Sequence, residues 1–152
     1  MGSNHSAGLI LQKPYYAEFI EPGAAIGGMF DLQVVAIHIL GKVELQIPET
    51  ANERQDALQK RMENIEQMQQ ICEQDVPLDR AIGILELLSQ KFHQEEIQLI
   101  SNDVLAKLVG VLPSTMAVAW QKLAQSSHNH RNGTSTTFQS PVEETAFATM
   151  AA

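Results

Sequence analysis

From Glu49 to Val76 the chain holds neither proline nor glycine, and Glu, Gln, Met and Ile recur throughout. Nothing in that run removes a backbone donor, so one long helix is its natural form. Thr50 with Glu53 three residues later is a capping-box pair and marks the start. Leu58, Met62, Ile65, Met68 and Cys72 follow at steps of four, three, three and four. That spacing puts them on one narrow stripe, with charges on the other faces. A narrow stripe of about two heptads suits pairing with a single partner helix. Residues 49–75 therefore read as a dimerisation helix with those five residues as its seam. The competing use is one side of the chain's own core.

The rest must fit around this helix. With 152 residues there is room for one ordinary domain or two very small ones. Residues 1–8 read as a flexible start. Residues 9–48 read as three or four short strands, a number too small to close a barrel. "YYAEFI" and "QVVAIHIL" are rich in β-branched and aromatic residues, and "KVELQI" alternates before Pro48. Pro22-Gly23 and Gly27-Gly28 supply the turns.

After the long helix, Asp79 reads as the cap of a helix over 79–93. Its buried stripe is Ala81, Leu85, Leu88 and Phe92, widened by Ile82 and Ile84. "HQEEIQLI" reads as a connection with a short strand. Ser101 caps a helix over 102–109, Gly110 ends it, and Pro113 opens another that runs to Gln125. Residues 126–152, rich in Ser, Thr and Asn, read as a flexible tail.

The stretch 102–123 has the parts of a helix-turn-helix. Ala106 is small where the two helices must approach, Gly110 makes the turn, and Leu105, Val109, Val111, Met116 and Ala119 face a shared core. An ordinary helical hairpin has similar parts. Here the sequence "ISNDVLAKLVGVLPSTMAVAWQKL" resembles the C-terminal helix-turn-helix of Crp/Fnr-type transcription regulators. "VVAIHILGKVELQIPE" is similar to the last strands of that family's sensor barrel, "ALQKRMENIEQMQQI" to its dimer helix and "PLDRAIGILELLSQKF" to the helix after it. The resemblance covers roughly residues 20–125. It implies an α+β chain: a short β remnant of a barrel (9–48), a dimerisation helix (49–75) and a helix-turn-helix domain (76–125). It also implies a cytoplasmic regulator, a homodimer or a heterodimer with a related regulator, acting on promoter DNA or beside RNA polymerase.

The departures from the family bear on effectors. Met29 follows Gly27-Gly28 where cyclic-nucleotide members carry Glu, and no Arg precedes Ala36, so a phosphate would find no cation. The lone Cys72 cannot hold an iron–sulfur cluster. His38 on an apolar strand reads as a packed residue rather than a haem ligand. No cofactor is therefore expected.

Reading DNA takes bidentate donors and phosphate-binding cations. Near the start of the second helix the outward positions are Leu112, Pro113, Ser114, Ala117, Val118 and Gln121. Only Ser114 and Gln121 can hydrogen-bond to bases, and only Lys107 and Lys122 can meet phosphates. Residues 101–125 carry these two lysines and Asp103, a net of +1. The dimer helix and its flanks (49–75) carry seven acids and three bases, a net of −4, within a chain of −8. That field repels DNA. The alternative is an adaptor whose exposed Leu112, Ala117 and Val118 meet protein, with Trp120 either in the motif's core or serving as an anchor.

Other classes find little footing. "GAAIGG" lacks the Lys-Ser/Thr of a phosphate loop, and no nucleophile has a His and an acid at motif spacing, so no enzyme and no metal site is expected. His128 and His130 form only a weak metal pattern. No apolar run approaches the ~18–20 residues of a membrane span. Met1-Gly2 with Ser6 fits N-myristoylation but is common by chance.

Overall fold

The computed structural model describes residues 6–133, with side chains through Ser127. They fall into two compact units, one ending at Ala119 and the other beginning at Trp120. The described chain is α+β, with a three-stranded antiparallel sheet, a 3-10 turn and five helices.

In the sheet, β1 (Gly8–Gln12) lies between β2 (Ala17–Ile20) and β3 (Ala36–Leu40). Ile10 stands opposite Phe19 on one side and His38 on the other. Leu9, Leu11 and Ile20 form a cluster on one face, joined by Ala24, Val34 and Val43. By alternation Ile10, Ala17, Phe19 and Leu40 share the other face, and all four are buried. The Phe19 ring meets Phe92 edge-on, with centroids 6.1 Å apart. A Cβ on Gly8 would lie 2.7 Å from the Phe19 ring, so this strand must begin on glycine.

Two expectations about the N-terminal half need correction. Gly8 is not part of a flexible start, because it is buried and paired with Leu40; residues 1–5, including Met1-Gly2 of the lipidation pattern, lie outside the described residues. "KVELQI" forms no strand, and Leu45 and Ile47 point into solvent. Alternation yields a strand only where a neighbouring edge accepts its backbone bonds. Residues 42–47 pair with no strand among the described residues, and the three-stranded sheet is open rather than closed into a barrel.

The helix α1 (Ala51–Cys72) starts as the capping box requires. Thr50 Oγ1 accepts from the Glu53 amide at 3.1 Å, and Glu53 Oε2 accepts from the Thr50 and Glu49 amides at 3.0 and 2.8 Å. The next helix, α2 (Pro77–Lys91), begins two residues before Asp79. Val76 is its cap, Pro77 takes the first-turn position, and Asp79 sits in the first turn, where a carboxylate suits the helix dipole. Ala81, Ile84, Leu85 and Leu88 are fully buried, and Phe92 follows as the C-cap.

"HQEEIQLI" is not a strand. It forms α3 (Gln94–Gln98), because His93 and Glu96 make a reciprocal cap around its start. Then come α4 (Asn102–Val109) and α5 (Pro113–Gly133). The tail expected from Ser126 is helical to Gly133, its Ser126 and Ser127 hydroxyls bonding back to the Lys122 and Leu123 carbonyls at 3.1 Å. Residues 134–152 of that expected tail lie outside the described residues. α4 packs against β2 and α2, so the β region and the helices up to Ala119 share one core.

Candidate functional site

The helix-turn-helix forms from short-range signals. Ser101 Oγ accepts from the Val104 amide at 3.3 Å and starts α4. Gly110 ends it at φ 63°, ψ 46°, the left-handed region that costs other residues roughly 1–2 kcal/mol. The Val111 amide then reaches back to the Ala106 carbonyl at 3.1 Å. Three residues separate the helices, and the chain bends by 98°. Leu105, Ala106, Val109, Met116 and Ala119 are buried, as the motif's core requires, and Val111 is half-buried. Open space surrounds the Gly110 Cα. Gly110→Ala should therefore lower stability by about 1 kcal/mol through backbone strain alone, read as a shift of the urea midpoint at constant slope.

Sequence reasoning missed the residue that ties down this turn. Arg80 of α2 donates through Nε to the Val109 carbonyl (3.2 Å) and through Nη2 to Gly110 (3.4 Å). Its Nη1 donates to the carbonyls of Gln74 (2.7 Å) and Asp75 (3.3 Å). One guanidinium thus fills the orphan carbonyls that end α4 and the loop between α1 and α2, where a cation opposes the negative helix end. An Arg among apolar helix residues was its only trace in the sequence.

The proposed reading face is mixed. Ser114, Gln121 and Lys122 are exposed at helical spacing on α5. Lys107 is less available, since it is partly buried and pairs with Asp103 at 3.3 Å. Leu112 is 69% exposed and Val118 43%, while Ala117 and Trp120 are half-buried. The side chains of His128 and His130 lie outside the described residues.

The seam residues of α1 are on view. Leu58, Met62 and Ile65 are 44%, 56% and 46% exposed, so this stripe is not the chain's own core. Cys72 is also exposed. Met68 is half-buried, and Gln69, the position a strict four-three alternation reaches after Ile65, is exposed.

What α1 turns inward is polar. Arg61 and Asn64 are buried, and Asn64 Oδ1 accepts from the Glu21 amide at 2.8 Å. Arg61 Nη1 donates to Ala25 O (2.9 Å) and Asp31 Oδ2 (3.2 Å), and its Nη2 pairs with Asp31 Oδ1 (2.9 Å) and with Glu18. Lys13 Nζ completes the cluster at 3.2 Å from Glu18, 3.7 Å from Asp31 and 3.0 Å from the Phe30 carbonyl. Burial alone would push the Asp31 carboxyl up, but Arg61, the Gly27 amide and Lys13 hold it below the usual carboxylate range. Burial likewise pulls Arg61 down, and its two carboxylates carry it above its ordinary value. Two cations and two carboxylates thus neutralise one another where β1, β2, the 3-10 turn and α1 meet. Glu21 makes a second junction, with Lys91 at 2.6 Å and Lys60 at 3.5 Å.

No family model, curated protein or solved structure matches the chain. No single helix among the described residues is long and apolar enough to cross a membrane.

Proposed function

We propose that the chain is a dimeric helix-turn-helix regulator of Crp/Fnr type, without a cyclic-nucleotide response, that contacts DNA weakly or with the help of a partner protein. The observation that carries this reading is the capped 98° turn at Gly110, which leaves Ser114, Gln121 and Lys122 exposed on its second helix. A bend of this size is what lets a recognition helix enter the major groove. The open apolar stripe of α1 supports the dimeric part, since a two-fold reader needs a two-fold seam.

Weak binding follows from the charge. The exposed face offers one free cation among the described side chains, Lys122, against a chain of −8. Fluorescence anisotropy on random-sequence duplex DNA at about 50 mM salt tests this, because electrostatic binding is strongest there. Wild type should bind, and Lys122→Ala should weaken binding and lower the salt slope by about 1. No binding at that salt would sink the DNA reading.

A second reading has its own observation. Leu112 and Val118 are apolar and exposed beside the turn, and Lys107 is engaged by Asp103. On that reading the motif is a protein-binding adaptor, and the DNA signal is absent at every salt concentration.

A further inference from the structure

Among the described residues no strand pairs with the outer edge of β3. β2, the opposite edge of the sheet, is packed by α1 and α4, whereas among the described elements β3 packs against β1. The Lys13 amide bonds the Tyr16 carbonyl at 2.8 Å and closes the β1–β2 hairpin. Counting along the alternation from that bond, the amides and carbonyls of Ile37 and Ile39 point away from β1. Natural edge strands are protected by charge, proline or a bulge. Residues 32–41 contain no charged residue and no proline.

The sheet face beside this edge is also half covered. Val34 and Val43 shelter Leu9, Leu11 and Ile20, but Ile37 and Ile39 are 55% and 62% exposed. Val35, on the same face by alternation, is 62% exposed as well.

We infer that a second copy of this chain pairs with β3, antiparallel, about a two-fold axis at His38. The sequence Ala-Ile-His-Ile-Leu reads nearly the same in both directions. The axis sets Ile37 of one copy opposite Ile39 of the other and the reverse, a self-complementary contact of the kind a two-fold axis demands. Each of these two pairs exchanges both backbone bonds, giving about four new hydrogen bonds. Ile37 and Ile39 then cover each other across the joint, on the face that Leu9 and Leu11 already occupy. No charge within 32–41 meets its like, although the chain as a whole repels its copies. This joint lies at the sheet edge opposite α1, so the α1 seam and the β3 edge together build assemblies larger than a dimer.

Sedimentation of the full chain and three variants tests this. Wild type should exceed a dimer, with mass rising with concentration. Ile39→Lys should stop at a dimer held by α1, Ile65→Asp at a dimer held by β3, and the double variant should be a monomer. Both sites are about half exposed, and circular dichroism should stay unchanged. A mass distribution for Ile39→Lys equal to wild type, or a monomeric wild type, overturns the β3 pairing. A monomer from Ile39→Lys alone supports it and removes the α1 seam. Oxidation of a His38→Cys, Cys72→Ser chain with copper phenanthroline should give a covalent dimer, and its absence overturns the two-fold register.

Discussion

Arg61→Ala should destabilise the chain by about 3–5 kcal/mol, one of the largest effects any single change can have here. Arg61 is 6% exposed and bonds two carboxylates and a carbonyl. Its removal leaves Lys13 as the one cation beside Asp31 and Glu18, with the Asp31 side chain only 7% exposed. An unpaired buried charge costs far more than a lost surface bridge. The expected drop in thermal midpoint is roughly 10–25 °C for a unit of this size. Arg61→Lys keeps the charge but loses the two-pronged grip on Asp31, so it should fall between. A change below about 0.5 kcal/mol would show that the cluster holds nothing together.

The same cluster sets a pH dependence with a definite sign. Burial pushes Asp31 and Glu21 up, but Arg61 for the one and Lys91 and Lys60 for the other hold both below the usual carboxylate range. Their contribution is present above the unfolded value, about 4, and is lost as pH falls through the lower folded values. Burial pulls Lys13 down, yet its bonds to Tyr16 and Glu18 leave it raised, as Arg61 is. Those two contribute below their unfolded values and are lost only as pH rises through the higher folded ones. Burial also pushes the Cys72 thiol up, so its contribution is lost as pH rises past the unfolded value of about 8.5; stability should therefore be level from about pH 5 to 8 and fall below about pH 4. A melting profile that declines between pH 8 and 6 would contradict this.

Legibility in the sequence followed the range of the interactions. The capping box at Thr50, the Ser101 cap and the Gly110 turn depend on residues three or four apart, and each forms where the sequence puts it. "KVELQI" pairs with no described strand although the outer edge of β3 lies open, so alternation by itself produced no strand. The β1 run "GLILQ" has both faces buried, which leaves no alternation to detect. The orientation of α1 was illegible for the same reason. It is fixed by Arg61 meeting Asp31 thirty residues away and by Asn64 meeting Glu21. Periodicity found the apolar stripe but could not say whether it faced the core. The polar residues between its steps had already taken the inward side.

That inversion makes Ile65→Asp the sharpest test of the seam, best made where β3 pairing is blocked. In an Ile39→Lys background the chain should be a dimer, and adding Ile65→Asp should give a monomer. Leu58, Met62 and Ile65 are each about half exposed, so pairing gains roughly 1 kcal/mol or more per side chain per copy. An Asp at the centre forfeits part of this and sets two carboxylates against apolar walls near the two-fold axis. Association should weaken at least about 100-fold, equivalent to about 3 kcal/mol. The monomer should keep its helix content, because Arg61 and Asn64, not Ile65, hold α1 to the sheet. Cys72 reports direction. In a parallel pair the two Cys72 positions lie near each other at the helix ends and cross-link under oxidation once each thiol turns from the Leu108 carbonyl it faces at 3.8 Å, and in an antiparallel pair they lie apart. Only the parallel arrangement brings both Gly110 turns to one end, as paired half-sites on DNA require. An unchanged mass would mean that α1 presents its apolar stripe to some other chain, and the two-fold DNA reading would lose its symmetry.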